Sequence, residues 1–249
     1  MRKSYFVLIL CAVGYLLSLL SRSCPTVLVD YMALDFAFTP QNIGYVSAAT
    51  MFSYGFMQLP AGILADAFGP RKILIIFTLI AGFSTLCFAF SQTQTQVIIS
   101  RFFIGVGVSL SVISITMLSL WFTPQTFARA NSILCGISEL GPVLAATPLL
   151  FVTQILTWRG AMLLMAAIIL GLTFCWFFFI PEISPYQTPK KEKATFKGVM
   201  KGLLIVVKNK HFWPMCLWQM VATGSIYMMI NLWFIEYMQK TSSYGFMQL

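Results

Sequence analysis

Three long stretches of this chain carry no charge: Asp35 to Asp66, Lys72 to Arg101, and Arg101 to Arg129. Each gap leaves room for the roughly 20 apolar residues that a helix needs to cross a bilayer core. A soluble domain carries about a quarter of its residues charged. This 249-residue chain has 9% charged and 59% hydrophobic. The apolar runs show no period-2 alternation. Helices, which satisfy their own backbone groups inside lipid, are therefore expected rather than a barrel. The expected class is an all-α membrane protein. The run from Tyr5 to Ser21 follows Arg2 and Lys3, but Arg22-Ser23-Cys24-Pro25 is a poor cleavage site, so this run reads as a span and not a leader. All six cysteines lie in apolar stretches and behave as small hydrophobes.

Seven helices are expected, at about 5–31, 43–64, 73–90, 97–121, 131–153, 160–180 and 212–237. Thr39-Pro40-Gln41-Asn42, the Ser91–Gln96 polar run and Thr123-Pro124-Gln125 supply breaks between them. With the N-terminus inside, Arg2, Lys3, Arg71, Lys72, Arg129, Lys190, Lys191, Lys193, Lys197, Lys201, Lys208 and Lys210 all face the cytoplasm, which is 12 of the 16 basic residues. Arg159 and Lys240 face out, and Arg22 and Arg101 lie within spans. The positive-inside rule sets that orientation. The net charge of +9 then faces an anionic leaflet, so nucleic acid is not expected as a partner. Between Pro181 and His211 the chain turns polar. Phe196, Val199, Met200, Leu203 and Val207 recur there at helical spacing, with lysines on another side, as in an amphipathic helix on the membrane surface. The domains read as a six-helix bundle over 1–183, a basic loop over 184–211, and a seventh helix with its tail over 212–249.

The loop between the second and third helices reads Gly62-Ile-Leu-Ala-Asp66-Ala-Phe-Gly69-Pro70-Arg71-Lys72. It resembles the G-x-L-x-D-R-x-G-R-R signature of the major facilitator superfamily, departing at Ala67 and at Pro70. Arg101-Phe-Phe-Ile-Gly105-Val-Gly107 is similar to that family's R-x-x-x-G segment, and Gly141-Pro142 to its helix-packing motif. Trp158-Arg159-Gly160 also suits the pattern, and the resemblance runs from Tyr5 to about Tyr237. It implies a bundle of six transmembrane helices followed by the start of a second, in a carrier that works by alternating access around a midplane site. The resemblance also gives Gly62, Asp66, Gly69, Arg71 and Lys72 a gating role, as a latch between two bundles.

The heptapeptide SYGFMQL occurs at Ser53–Leu59 and again at Ser243–Leu249. The first copy begins 48 residues after Tyr5 and the second 31 after Phe212, so the two are out of register for an internal repeat. We read the second copy as a rearrangement or frameshift that leaves the chain truncated after its seventh helix.

Ionisable groups within spans are costly and point to function. Arg22 sits about two-thirds along the first helix. The resemblance implies an anion-binding arginine at a similar place, and a guanidinium offers carboxylate or phosphate a planar fork. Pairing with Asp30 is the alternative. Arg101 in the fourth helix and Glu139 in the fifth complete the charged candidates, with Glu139 as a proton-coupling carboxylate or a member of an ion pair. In the seventh helix Tyr227 and Asn231 are the polar choices, and no arginine stands there to hold a doubly charged phosphate ester. Asp35 reads as solvated. The expected function is secondary active transport of a small, anionic organic solute, with protons as the candidate coupling ion. The alternatives are a non-transporting remnant and, more remotely, a seven-helix receptor. A retinal receptor would need a lysine in the seventh helix, where none lies between Lys210 and Lys240. No HExxH or Gly-x-Ser-x-Gly motif marks an enzyme. No cofactor or metal is expected. The expected partners are the lipid bilayer, the solute, and either a missing C-terminal half or a second copy. The expected location is the bacterial plasma membrane.

Overall fold

The computed structural model describes residues 2–36, 38–180 and 205–228, with the side chains of Pro25, Asp30 and several neighbours outside that description. The described elements are all helices. α1 runs Arg2–Phe36, α2 Pro40–Phe68, α3 Pro70–Ala89, α4 Gln94–Gly107, α5 Ser111–Trp121, α6 Pro124–Ser138, α7 Leu140–Ala145 and α8 Thr147–Phe179, and α9 covers Phe212–Met228. The chain divides into two compact units, 1–194 and 195–249.

The breaks expected from sequence are helix starts with a physical basis. Thr39 caps α2, its hydroxyl accepting from the Asn42 amide, and Pro40 occupies the first turn, where no N–H is needed. Thr93 and Gln96 form a reciprocal capping box at α4. Pro124 opens α6 after Thr123. Gly69 joins α2 to α3 at φ 90°, a conformation that favours glycine, and Pro70 starts the next helix immediately.

Two expected spans are interrupted. The fourth breaks at Val108–Leu110, between α4 and α5. There the Ser18 hydroxyl of α1 donates to the Val108 carbonyl, and Ser109 donates to the carbonyls of Tyr54 and Gly105. The fifth breaks at Glu139 and again at Ala146. Prolines account for both breaks. Pro142 and Pro148 lack the N–H that would bond the carbonyls of Ser138 and Leu144, four residues earlier in each case. α8 contains a corner at Thr157 (φ 63°, ψ 166°) that ends the fifth expected span and begins the sixth.

Within the first unit, α3 packs on α4 and on the later part of α8, α2 packs on α4, and α1 packs on α6 and α7. Small residues permit this closeness. A Cβ on Gly105 would strike Ser53 Oγ and the Thr50 backbone of α2. One on Gly141 would meet the Leu16 carbonyl at 2.5 Å, so α7 lies directly on α1. The core is apolar, and Trp176, Phe88, Leu28 and Leu118 are fully enclosed. Large apolar side chains are also displayed outward, Phe52, Phe56, Phe174 and Phe178 among them. An outward apolar surface is what a lipid-embedded bundle presents. Four of the described helical stretches are long and apolar enough to cross a membrane by length and composition alone: 3–24, 70–89, 94–121 and 147–179.

Each end of the bundle is tied. At one end, Asp35 of α1 accepts from Trp158 Nε1 at 2.9 Å and pairs with Arg159 at 3.4 Å. Arg159 also donates to the Ala89 and Ser91 carbonyls that end α3. Asp35 was expected to be solvated. It instead joins α1, α3 and α8, because the exposed end of α8 brings an indole N–H and a guanidinium to it. At the other end, Arg71 donates to the Phe177 carbonyl at 2.6 Å, tying the start of α3 to the last turn of α8.

In the second unit, α9 carries mostly exposed apolar side chains, and the Trp213 indole donates to the Val207 carbonyl. Phe196, Val199, Met200 and Leu203 of the expected amphipathic helix, and the second SYGFMQL copy, lie outside the described residues. The first copy lies within α2.

Candidate solute-binding site

Arg22 is partly buried on α1. Its guanidinium carbon stands 4.0 Å above the centroid of the Tyr54 ring on α2. A cation lying over an aromatic face is attracted by the ring quadrupole, and more strongly once desolvated. The stack uses the flat face of the guanidinium and leaves its edge, where the N–H donors point, for an acceptor. Arg22 Nε is buried without a hydrogen-bond partner. No salt bridge involves Arg22 among the described residues.

Tyr54 is itself oriented. Its hydroxyl is 3.3 Å from Ser111 Oγ of α5, and Ser111 donates to Gln58 Oε1 at 3.2 Å. Ser111 has one proton, and that proton goes to Gln58, so the Tyr54 hydroxyl is the donor to Ser111. The Ser109 hydroxyl, at the break before α5, donates to the Tyr54 carbonyl. The break between α4 and α5 thus supplies two groups that fix the ring beneath Arg22. Sequence reasoning passed over Tyr54, Gln58 and Ser111. Tyr54 and Gln58 sit on α2 four residues apart, one above the other, which is the only signal the sequence offered.

Glu139 is exposed at the α6–α7 break, and Cys135 is exposed one turn earlier. Tyr15, half-buried on α1, lies within electrostatic reach of Tyr54, Arg22, Cys135 and Glu139. One face of the bundle therefore gathers Tyr15, Arg22, Tyr54 and Glu139 from three spans. Glu139 was expected to be buried beside an arginine. The structure exposes its side chain, because the proline break turns it off the packed side of the helix.

Arg101 is elsewhere. It is 1% exposed, inside the bundle, with Nη1 donating to the Ser21 carbonyl at 3.3 Å and the Phe88 ring 5.2 Å away. Its Nε and Nη2, and the neighbouring Ser21 hydroxyl, have no partner among the described residues. The gating residues occupy the α2–α3 corner. Asp66 and Lys72 are exposed, Arg71 holds Phe177, Gly69 makes the turn, and a Cβ on Gly62 would come within 3.2 Å of Val112 on α5. The Tyr227 side chain and Asn231 lie outside the described residues. No group of three or more metal-ligating side chains occurs among the described residues.

An all-helical bundle with an outward apolar surface, interrupted spans and a charged residue group on one face defines an integral membrane protein of the carrier type. The chain belongs to the Major Facilitator Superfamily, whose family model matches residues 11–249. It is 26% identical over 169 residues to the probable sulfoacetate transporter SauU of Cupriavidus necator, covering 68% of this chain and 39% of that protein. It is 30% identical over 168 residues to the nitrate/nitrite transporter NrtP of Nostoc punctiforme, covering 64% of this chain and 32% of that protein. Among solved structures, a bacterial homologue of the human lysosomal transporter Spinster, in an inward-facing and unoccupied conformation, shares the fold with a TM-score of 0.62 at 16% identity. That match covers 80% of this chain and 48% of the other. The chain thus spans less than half the length of these relatives. The family and the relatives are transporters and not enzymes.

Proposed function

We propose that this chain recognises a small anion as part of a secondary active transporter that works by alternating access. The observation that carries the reading is Arg22: a permanently charged group within a membrane span, stacked on an oriented tyrosine, with no carboxylate partner among the described side chains. A cation in that setting is costly unless an anion offsets it. The fork geometry of arginine suits a carboxylate or an oxyanion. Sulfoacetate and nitrate, named for two relatives, are both oxyanions, which supports the same class here. In this reading residues 1–183 form the recognising bundle, 184–211 a basic loop on the inner membrane surface, and 212–249 the start of the opposing bundle, from which Tyr227 and Asn231 would reach the solute. The N-terminus is cytoplasmic and the membrane is a bacterial plasma membrane. Asp66, Arg71 and Lys72 latch the two bundles on the inner side. Arg101 holds α4 against α1 behind the site, and Glu139, on the solute-facing side, is the carboxylate available to carry a coupled proton.

Uptake of labelled benzoate and nitrate into sealed vesicles containing the purified full chain tests this. The expected result is saturable uptake, abolished by Arg22→Gln, with dependence on a pH gradient lost in Glu139→Gln. Uptake unaffected by Arg22→Gln would overturn the reading. Binding without uptake would favour the non-transporting half-carrier.

A further inference from the structure

Glu139 is the one acidic side chain that the described structure brings to the same face as Arg22, and its distance from Arg22 follows from the helix contact beneath it. Gly141 seats α7 on α1 against Leu16, Leu19 and Leu20. α1 and the fifth span must run in the same direction, since an even number of crossings separates their starts. At ~1.5 Å per residue, Glu139 then lies about 3 Å below the contact and Arg22 about 6 Å above it, giving a separation of roughly 9 Å along the axis. That is too far for an ion pair and close enough for both to touch one small molecule. Tyr15 on α1 lies between the two levels, within reach of both charges.

Two further features hold the carboxylate there. The backbone is interrupted at Glu139 itself (φ −66°, ψ −10°), where Pro142 leaves the Ser138 carbonyl unbonded. α7 cannot slide, because its glycine is wedged on α1. The site therefore presents a fixed cation at one end and a fixed anion at the other. Arg101 adds little to this balance on the face, since its guanidinium is enclosed behind α1.

We infer that Glu139 is a specificity-determining residue of the Arg22 site, selecting a monoanion whose far end donates a hydrogen bond and rejecting a dianion. This rests on the reading of Arg22 as the anion-binding group. A carboxylate facing the far end of the solute accepts from a hydroxyl or ammonium there, whereas a second carboxylate at that position meets a like charge with no counterion. Rejection by a juxtaposed like charge is a stronger discriminator than a missing contact.

The test is competition binding to the purified full chain in lipid nanodiscs with three matched probes: 4-hydroxybenzoate, benzoate and terephthalate. They share a ring and one carboxylate, and carry a donor, nothing, or a second carboxylate at the far end. Wild type is expected to bind 4-hydroxybenzoate at least tenfold more tightly than terephthalate, with benzoate between them. Glu139→Gln is expected to compress that ratio to within about threefold, chiefly by raising terephthalate affinity. A gain of binding cannot arise from misfolding, and Glu139→Asp is expected to keep the wild-type order. If all three probes bind in an Arg22-dependent way and Glu139→Gln leaves their ratios unchanged, this inference is overturned while the anion-site reading stands. If no probe binds, or binding ignores Arg22→Gln, the underlying reading falls.

Discussion

Two arginines in the same bundle have opposite environments, and their substitutions should behave oppositely. Arg101 is enclosed, bonded through one nitrogen to the Ser21 carbonyl, with two other nitrogens unpartnered among the described residues. Burying a charge so incompletely satisfied costs more than its contacts return, and replacing such groups with hydrophobes of similar volume is often neutral or stabilising by about 1–4 kcal/mol. Arg101→Met should therefore unfold at an equal or higher temperature in detergent, and a clear fall would show that the guanidinium is a structural tie. Arg22 lies on the open face, so Arg22→Lys should leave thermal stability nearly unchanged. Because a lysine loses the planar fork and the stack on Tyr54, anion affinity should drop about tenfold in a titration, equivalent to ~1.4 kcal/mol. Both arginines were legible in the sequence as charges within apolar runs. Their different burial was not, because that depends on which side of each helix meets a neighbour. Tyr54, Gln58 and Ser111 were illegible for a related reason: uncharged polar residues are common in spans, and only the α4–α5 break brings them together.

Helix ends were easy to read from the sequence, and helix interruptions were not. Thr39-Pro40, Thr93 with Gln96, and Thr123-Pro124 act through local capping that needs no tertiary partner, which is why they stood out. The break at Val108–Leu110 depends on Ser18 of α1 bonding the Val108 carbonyl from 90 residues away, so no local signal announced it. The fifth span gave a partial signal in Pro142 and Pro148, which marked kinks without showing that Glu139 would be turned outward. Pro142→Ala should restore the missing helical bond and raise stability, since an interior proline costs ~3 kcal/mol. It should also weaken discrimination between 4-hydroxybenzoate and terephthalate by moving Glu139, and an unchanged ratio would show that the break does not position the carboxylate. At the tied end, Asp35→Asn keeps an acceptor for the Trp158 indole and loses only a half-exposed ion pair, a cost of about 0–1 kcal/mol. Asp35→Ala also strands the indole N–H and should cost ~1–3 kcal/mol more. Equal melting temperatures for the two variants would show that the Trp158 bond contributes nothing.

As a whole, the first unit is a bundle tied at both ends, by Asp35, Trp158 and Arg159 at one and by Arg71 with Phe177 at the other. Ties of this kind let a bundle move as one body, which rocking requires. The charge gaps and the glycine-rich α2–α3 corner made the membrane class and the family readable, because both follow from composition along the chain. Which faces come together is a property of packing, and packing was needed to find the site. With the N-terminus inside, a cysteine introduced at Gln92 should react with a membrane-impermeant maleimide from outside intact cells, and one at Lys72 should not. The reverse pattern would invert the topology. The most direct test of the central claim is equilibrium binding of labelled benzoate to the purified full chain, comparing wild type with Arg22→Gln at matched thermal stability. Saturable binding in wild type, weakened at least tenfold in the variant, is the expected result. Equal binding by the two proteins would contradict the assignment of Arg22 as the anion-recognising group.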